Sequence, residues 1–273
     1  MSLHVFTQIV TNGLSLGLTY VLIASGFSLI YGIMGILNFA HGELYMLGGF
    51  IAYYFFDSFG LNYGAAIIIS IIIVAFIGML IERFLFRPFH GQHDPTLVIT
   101  IGTALFISGL ALLLFGEKDY SIPSGFSGAI CIMGITLSKE KLAVMVICIV
   151  IMLALWWILQ KVKAGRSMRA LAQQEEAAIL QGINRGRTFT LAMAISAALA
   201  GAAGGLVSSM YFVNAFQGIH MILKTLVVVV IGGLGSVPGA VIGGLLLGLI
   251  ESFGFTLIGS LADLLGYIIV ILV

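Results

Sequence analysis

Charge is what this chain has least of. Only 8% of its 273 residues are Asp, Glu, Lys or Arg, against roughly 25% in an average soluble domain. So few charges cannot cover a soluble body of this length. With 60% hydrophobic residues and a mean hydropathy of +1.18, the chain reads as a polytopic membrane protein. Twelve basic residues stand against eleven acidic ones. A nucleic-acid binder would spread its bases over one exposed face; these gather in loops between apolar runs, so nucleic acid is excluded as a partner and lipid is the expected surrounding. Cysteine is scarce as well. Cys131 falls in a loop and Cys148 in an apolar run, and their spacing suggests neither a disulfide nor a metal pair. The opening MSLHVFTQIVTNG lacks the basic stretch and small-residue cleavage site of a secretory signal, so the first apolar segment is expected to stay in the mature protein.

Catalytic signatures are missing too. There is no phosphate-cradling GxxxxGKS/T, no HExxH, no Cys-His ligand set and no GxSxG with partners. The expectation is a protein that is not an enzyme, with no catalytic residue, no cofactor and no metal; any ATP would be bound by another polypeptide.

What is present is apolar length. A spanning helix needs about 20 mostly apolar residues, and uncharged runs occur at 58–81, 95–116, 142–160 and 225–250, with 1–42 and 188–223 also uncharged. Spans are predicted near 8–33, 38–56, 63–84, 96–115, 140–160, 187–211, 219–234, 238–257 and 262–273. The fold class is all-α: a single bundle over 1–273 with about eight or nine spans, some of them broken. Loop charge sets orientation. Arg83 and Arg87 flank one loop expected in the cytoplasm, and 161–187, with six of the twelve Lys and Arg residues, is another; the loop at about 116–139 then falls outside. The last span, from Asp263, is only about half a crossing long, which suggests a truncated chain or an unusual terminus.

Thirty-five glycines sit mainly inside apolar segments, many at four-residue spacing: Gly13 with Gly17, Gly201 with Gly205, Gly235 with Gly239 and Gly243, Gly244 with Gly248. Small residues let helices approach closely in lipid, which accounts for most of them. Two clusters ask for more. One is YGIMGILNFAHGE, with Asn38, His41, Gly42 and Glu43; the other is GGLGSVPGA, with Gly232, Gly233 and Gly235. Interrupted apolar segments in the two halves of a transporter point to the substrate route, so these seven residues are candidates for it. His41 and Glu43, costly near lipid, would stand at its inner mouth. The plainer alternative is local: Asn38 as the N-cap of the second helix and Glu43 at the positive end of its dipole. Glu251 and Asp263 are expected at the interface. The chain offers no relay of buried carboxylates of the kind a proton-driven carrier needs.

The basic segment KVKAGRSMRALAQQEEAAILQGINRGR is too long for a tight turn and too polar for lipid. Apolar Met168, Leu171, Ala172, Ile179 and Leu180 predict one short amphipathic helix over 168–180 that a cytoplasmic partner can grip. Within it Glu176, Ala177, Ala178 and Gly182 spell EAAxxxG, which resembles the cytoplasmic signature of ABC importer permeases. Together with GFSLIYGIMGILNFAHGELYMLGGFIA and VVIGGLGSVPGAVIGGLLLGLIE, in that order along the chain, the segment resembles the branched-chain amino acid permease family from about residue 9 to 269. The resemblance implies a multi-pass subunit of a bacterial or archaeal inner-membrane importer. It implies two cytoplasmic ABC ATPase subunits, a homologous second permease forming a heterodimer, and a periplasmic solute-binding protein. Glu176, Ala177, Ala178 and Gly182 would be the coupling element, with Arg166 and Arg169 on the same loop. The short basic tail of the family pattern is missing here. Urea or short amides are alternative substrates, and a self-sufficient carrier, a channel or a purely structural scaffold is the rival class.

Overall fold

In lipid every backbone N–H and C=O must find its partner inside its own segment, so apolar runs become helices. The computed structural model describes residues 3–123, 128–132 and 135–272. It places α1 at Leu3–Met34, α2 at His41–Asp57, α3 at Tyr63–Ile81, α4 at His93–Phe115, α5 at Lys139–Lys161, α6 at Lys163–Gln173, α7 at Glu175–Leu180, α8 at Arg185–Val207, α9 at Gln217–Gly232, α10 at Val237–Ile258 and α11 at Ala262–Leu272. Side chains of the preceding loops set several starts. Asn62 accepts from Ala65 N at 2.8 Å, Asn184 from Arg187 N at 2.9 Å and Ser236 from Gly239 N at 3.0 Å, each satisfying an orphan donor of a first turn. A two-stranded antiparallel hairpin, β1 (Ala129–Ile132) with β2 (Ile135–Ser138), lies between α4 and α5. Parts of the expected 116–139 loop (124–127 and 133–134) and the final residue lie outside the described residues, as do the side chains of Cys131 and Asp263.

Among the described residues six helices, α1, α3, α4, α5, α8 and α10, are long and apolar enough to cross a membrane. The shorter α2 has 17 residues, α9 has 16 and α11 has 11. The connections sort to two ends. Residues 31–37, Gly91, Gln92, Leu171, Gln173, Glu175 and Arg185 line one pocket, and 235–238 join Leu159, Gln160, Met168 and Ala172 in another; this is the basic end. At the opposite end Tyr120 and Val213 exchange backbone bonds of 2.9 and 2.7 Å, Asn214 donates to Asp119 and Lys141 to Asn12.

Glycines hold the helices close. On Gly17 a β-carbon would stand 3.0 Å from the Leu245 Cα, and on Gly13 3.0 Å from that of Leu249, so α1 and α10 meet along the two glycine pairs seen in the sequence. Gly48 of α2 faces Gly201 of α8, and Ser70 of α3 donates to the Gly48 carbonyl at 2.7 Å. Association in lipid depends on such close backbone contact and buried bonds. α2, with ten of its seventeen residues buried, and α8, with fifteen of twenty-three, form the centre of the bundle.

Two of the short helices, α2 and α9, begin inside the bundle. After Met34 the chain turns back without helix. Leu37 O accepts from Thr100 at 3.2 Å, and His41 Nε2 lies 2.9 Å from the carbonyl of Ile23, eleven residues and about 17 Å from the basic end of α1. From the other side residues 208–216 return inward, Ala215 O accepting from Ser108 at 3.2 Å. The first turns of α2 and α9 then meet, Gly42 against the Gly218 carbonyl and Ile222. Irregular backbone is tolerated at this depth because protein covers it.

One predicted element divides. The single helix expected over 168–180 is two, α6 and α7, broken at Gln174, which is extended (φ −158°, ψ 103°). The apolar stripe of α6 ends at Leu171, and the following Gln-Gln-Glu-Glu supplies nothing to bury. Gly165 lies against the backbone of Ile158 and Leu159, which folds α6 back onto α5; after the break α7 buries only Ala178.

Candidate functional site

At the basic end α6 and α7 are clamped from beneath. Met168, Leu171 and Ala178 are buried. Ala172, Ile179 and Leu180, expected on the same apolar face, are exposed instead, Leu180 at 88%. Glu175 pairs with Arg185 at 2.6 Å, and the Arg185 guanidinium lies 5.2 Å above the Phe189 ring. His90 meets Phe189 edge-on and stands 3.6 Å from the buried Glu82. Glu82 also accepts from Arg87 and Thr190, and Arg87 donates to Gly186 O at 2.9 Å. The cluster ties α7 to the end of α3. Burial first, then the Arg185 and Arg87 charges, pushes His90 down from 6.5 to about 4.

Above the clamp, Glu176 and Ala177 are exposed, as are Arg166 and Gly182. Arg169 donates to Gln160. Gly182 ends α7 at φ +84°, the left-handed region, its N–H on Ile179 O at 2.9 Å while Ile183 N bonds Ala178 O at 3.1 Å. This is how glycine closes a helix. Nothing lies within 4 Å of a β-carbon added there, so the conformation and not crowding asks for glycine.

The seven route candidates form two groups, not one. Asn38, His41, Gly42 and Glu43 lie deep in the bundle, not at its mouth. Asn38 accepts from Ala40 N at 3.1 Å and reaches the Met193 sulfur at 3.9 Å. It is not the N-cap, which is Ala40. His41 also faces Ser196 Oγ at 3.4 Å, and the Glu43 carboxylate lies against Gly218 at the start of α9, where the helix dipole favours an anion. Gly232, Gly233 and Gly235 are at the basic end, where Gly232 meets Gly239 and a β-carbon on Gly235 would stand 3.1 Å from the Gly32 Cα.

A third site was not foreseen. Glu251, expected at the interface, is buried, and Lys224 Nζ pairs with its Oε2 at 3.1 Å. Tyr20 donates to the same oxygen at 2.6 Å and accepts from Lys224 at 3.0 Å; the ammonium also lies 5.5 Å above the Tyr20 ring. The triad joins α1, α9 and α10 beside a cavity of about 290 Å³ that Tyr45, Tyr211 and Gln217 also line. A faint signal existed: one lysine and one glutamate alone in uncharged sequence, on helices that the tight Gly232–Gly239 contact makes antiparallel. Lys224 is eight residues before that contact and Glu251 twelve after it, about 12 and 18 Å along their helices, within reach of two long side chains.

Comparison with known proteins follows the same lines. Residues 9–273 match the family described as branched-chain amino acid transport system / permease component. The high-affinity branched-chain amino acid transport system permease protein BraD of Pseudomonas aeruginosa is 35% identical, covering 94% of this chain and 88% of that protein. The corresponding permease proteins LivH of Salmonella typhimurium and Escherichia coli are 34% and 33% identical, each covering 98% of this chain and 92% of theirs.

Proposed function

We propose, on the premise that this chain belongs to the branched-chain amino acid transport system permease family, that it is the transmembrane subunit of an ATP-driven ABC importer moving branched-chain amino acids by alternating access. The whole of 1–273 acts as one permease domain with eight or nine spans, the short α2 and α9 counted with the non-helical segments that complete their crossings. It sits in the inner membrane with a homologous second permease. ATP hydrolysis belongs to two cytoplasmic ATPase subunits, and a periplasmic protein delivers the amino acid.

The observation that carries this reading is the exposed surface of α7. Ile179, Leu180, Glu176, Ala177 and Gly182 present an apolar knob with an acidic rim, on a base held by buried Met168, Leu171 and Ala178 and by the Glu175–Arg185 pair. Exposed apolar side chains on a rigid, charged support mark a docking surface. Arg166 and Arg169 belong to the same support, and the Glu82–Arg87–His90 cluster carries movement of α7 into α3. Asn38, His41, Gly42 and Glu43, with Gly232, Gly233 and Gly235, are where broken helices meet or turn, and there the route opens and closes.

The test is reconstitution. Purified with its ATPases, its second permease and its binding protein, the chain takes up leucine in vesicles when ATP is supplied, and alone it takes up none. Uptake by the chain alone contradicts the proposal. Uptake of urea or short amides in place of leucine contradicts its substrate.

A further inference from the structure

We infer that the cavity between α1, α9 and α10 is a passage site for a zwitterionic α-amino acid, Lys224 meeting the carboxylate and Glu251 with Tyr20 the ammonium; this rests on the transport reading above.

An ion pair inside a membrane protein is costly, faces the bundle interior or a water-filled cavity, and marks a substrate or ion route. Lys224 is 20% exposed and Glu251 only 2%, so the pair is open on one side, toward the cavity, and closed on the other. The cavity lies beside the start of α9 and beside Tyr45 in the second turn of α2, where two broken helices begin. Substrate sites of transporters form at such breaks. The chemistry is matched to a molecule bearing both charges. A buried pair that loses one partner leaves a bare charge, which is strongly unfavourable. A zwitterion brings both counter-charges at once, so Lys224 and Glu251 can let go of each other and re-pair with it without leaving either bare. A plain amine or a plain carboxylate cannot do this. Tyr20, bonded to both members of the pair, holds them in register during the exchange, and Leu16, Met221 and Phe255 line the rest of the cavity as a seat for an aliphatic side chain.

The experiment uses the complete importer in vesicles. Lys224→Met with Glu251→Gln removes both charges together, since neutral replacement of a whole buried pair is often tolerated where single changes are not. The double variant is expected to co-purify with the ATPases as the wild type does while leucine uptake falls at least tenfold. Uptake within twofold of wild type overturns the site and leaves the transport reading standing, whereas wild-type vesicles that take up no leucine overturn both. Should the double variant not assemble, Met221→Cys decides. Its reaction with a thiol reagent is expected to slow several-fold during leucine transport and not with isoamylamine present instead. Equal rates with and without leucine overturn the site.

Discussion

Consider Gly182 replaced by alanine and by tryptophan. At φ +84° any β-carbon is strained, by about 1–2 kcal/mol, and both replacements carry that cost. Neither meets a neighbour at the β-carbon, since nothing lies within 4 Å of it. The position is exposed, so the indole is expected to extend into solvent. Gly182→Trp and Gly182→Ala should therefore insert equally and melt within a few degrees of each other. They should differ only in what touches the chain from outside. In vesicles containing the assembled importer, the alanine variant is expected to keep at least half of wild-type uptake. The tryptophan variant should lose tenfold or more and uncouple ATP hydrolysis from transport. Comparing the two cancels the backbone strain and isolates the contact. Wild-type transport by Gly182→Trp refutes the reasoning, and so does a tryptophan variant that melts far below the alanine one.

Two further outcomes follow. Gly244→Leu on α10 drives a side chain into the backbone of Val21, whose N lies 2.8 Å from the added β-carbon; overpacking of this kind costs about 1–3 kcal/mol, so the melting point of the detergent-solubilised chain should fall, with an unchanged value refuting the close α1–α10 contact. His90 is held neutral, its pKa pushed down to about 4, while the unfolded chain protonates near 6.5; between those values the unfolded state takes up a proton that the folded state refuses. Stability therefore drops as pH falls from 6.5 toward 4, by about 3 kcal/mol if carried through the whole interval. Above pH 6.5 this residue contributes no slope. Melting measured from pH 7.5 to 4.5 should show the decline, and His90→Gln should flatten it; an equal slope in both chains contradicts the assignment.

The helices were legible because lipid leaves an apolar run only one economical form, and charge placed their ends. The glycine pairs were legible as well: Gly13 with Gly17 and Gly244 with Gly248 declared a close contact, and the fold brings those very pairs together. Sequence was silent on depth. Hydropathy around Asn38, His41 and Glu43 reads alike whether the second helix starts at the membrane surface or deep inside, and only the contacts with Ile23 and Ser196 decide it. The break at Gln174 was hidden for another reason. Gln, Glu and Ala are good helix formers, so local preference favoured continuity while burial of Met168 on one side and Ala178 on the other pulled the chain into two directions. The pairing of Lys224 with Glu251 was missed because a pair 27 residues apart is a tertiary fact. Glu251 alone looked like an interfacial charge.

The arrangement also gives α2 and α9 a shared logic. Each enters the bundle as non-helical chain from its own end, and their first turns meet through Gly42 and Gly218. Side chains there would separate the helices. A joint made of two helix starts can slide or part at low cost, because few backbone bonds cross it. That is the mechanical property the proposed alternating access would demand of the joint.

The most direct measurement places one cysteine at exposed Ala177, with Cys131 and Cys148 replaced by serine, in the intact importer. A short cross-linker should join this position to an ATPase subunit, with a yield that changes when ATP binds, and an impermeant thiol reagent added to intact cells should leave it unmodified. Modification from outside the cell, with no cross-link to the ATPase in any nucleotide state, would contradict the account.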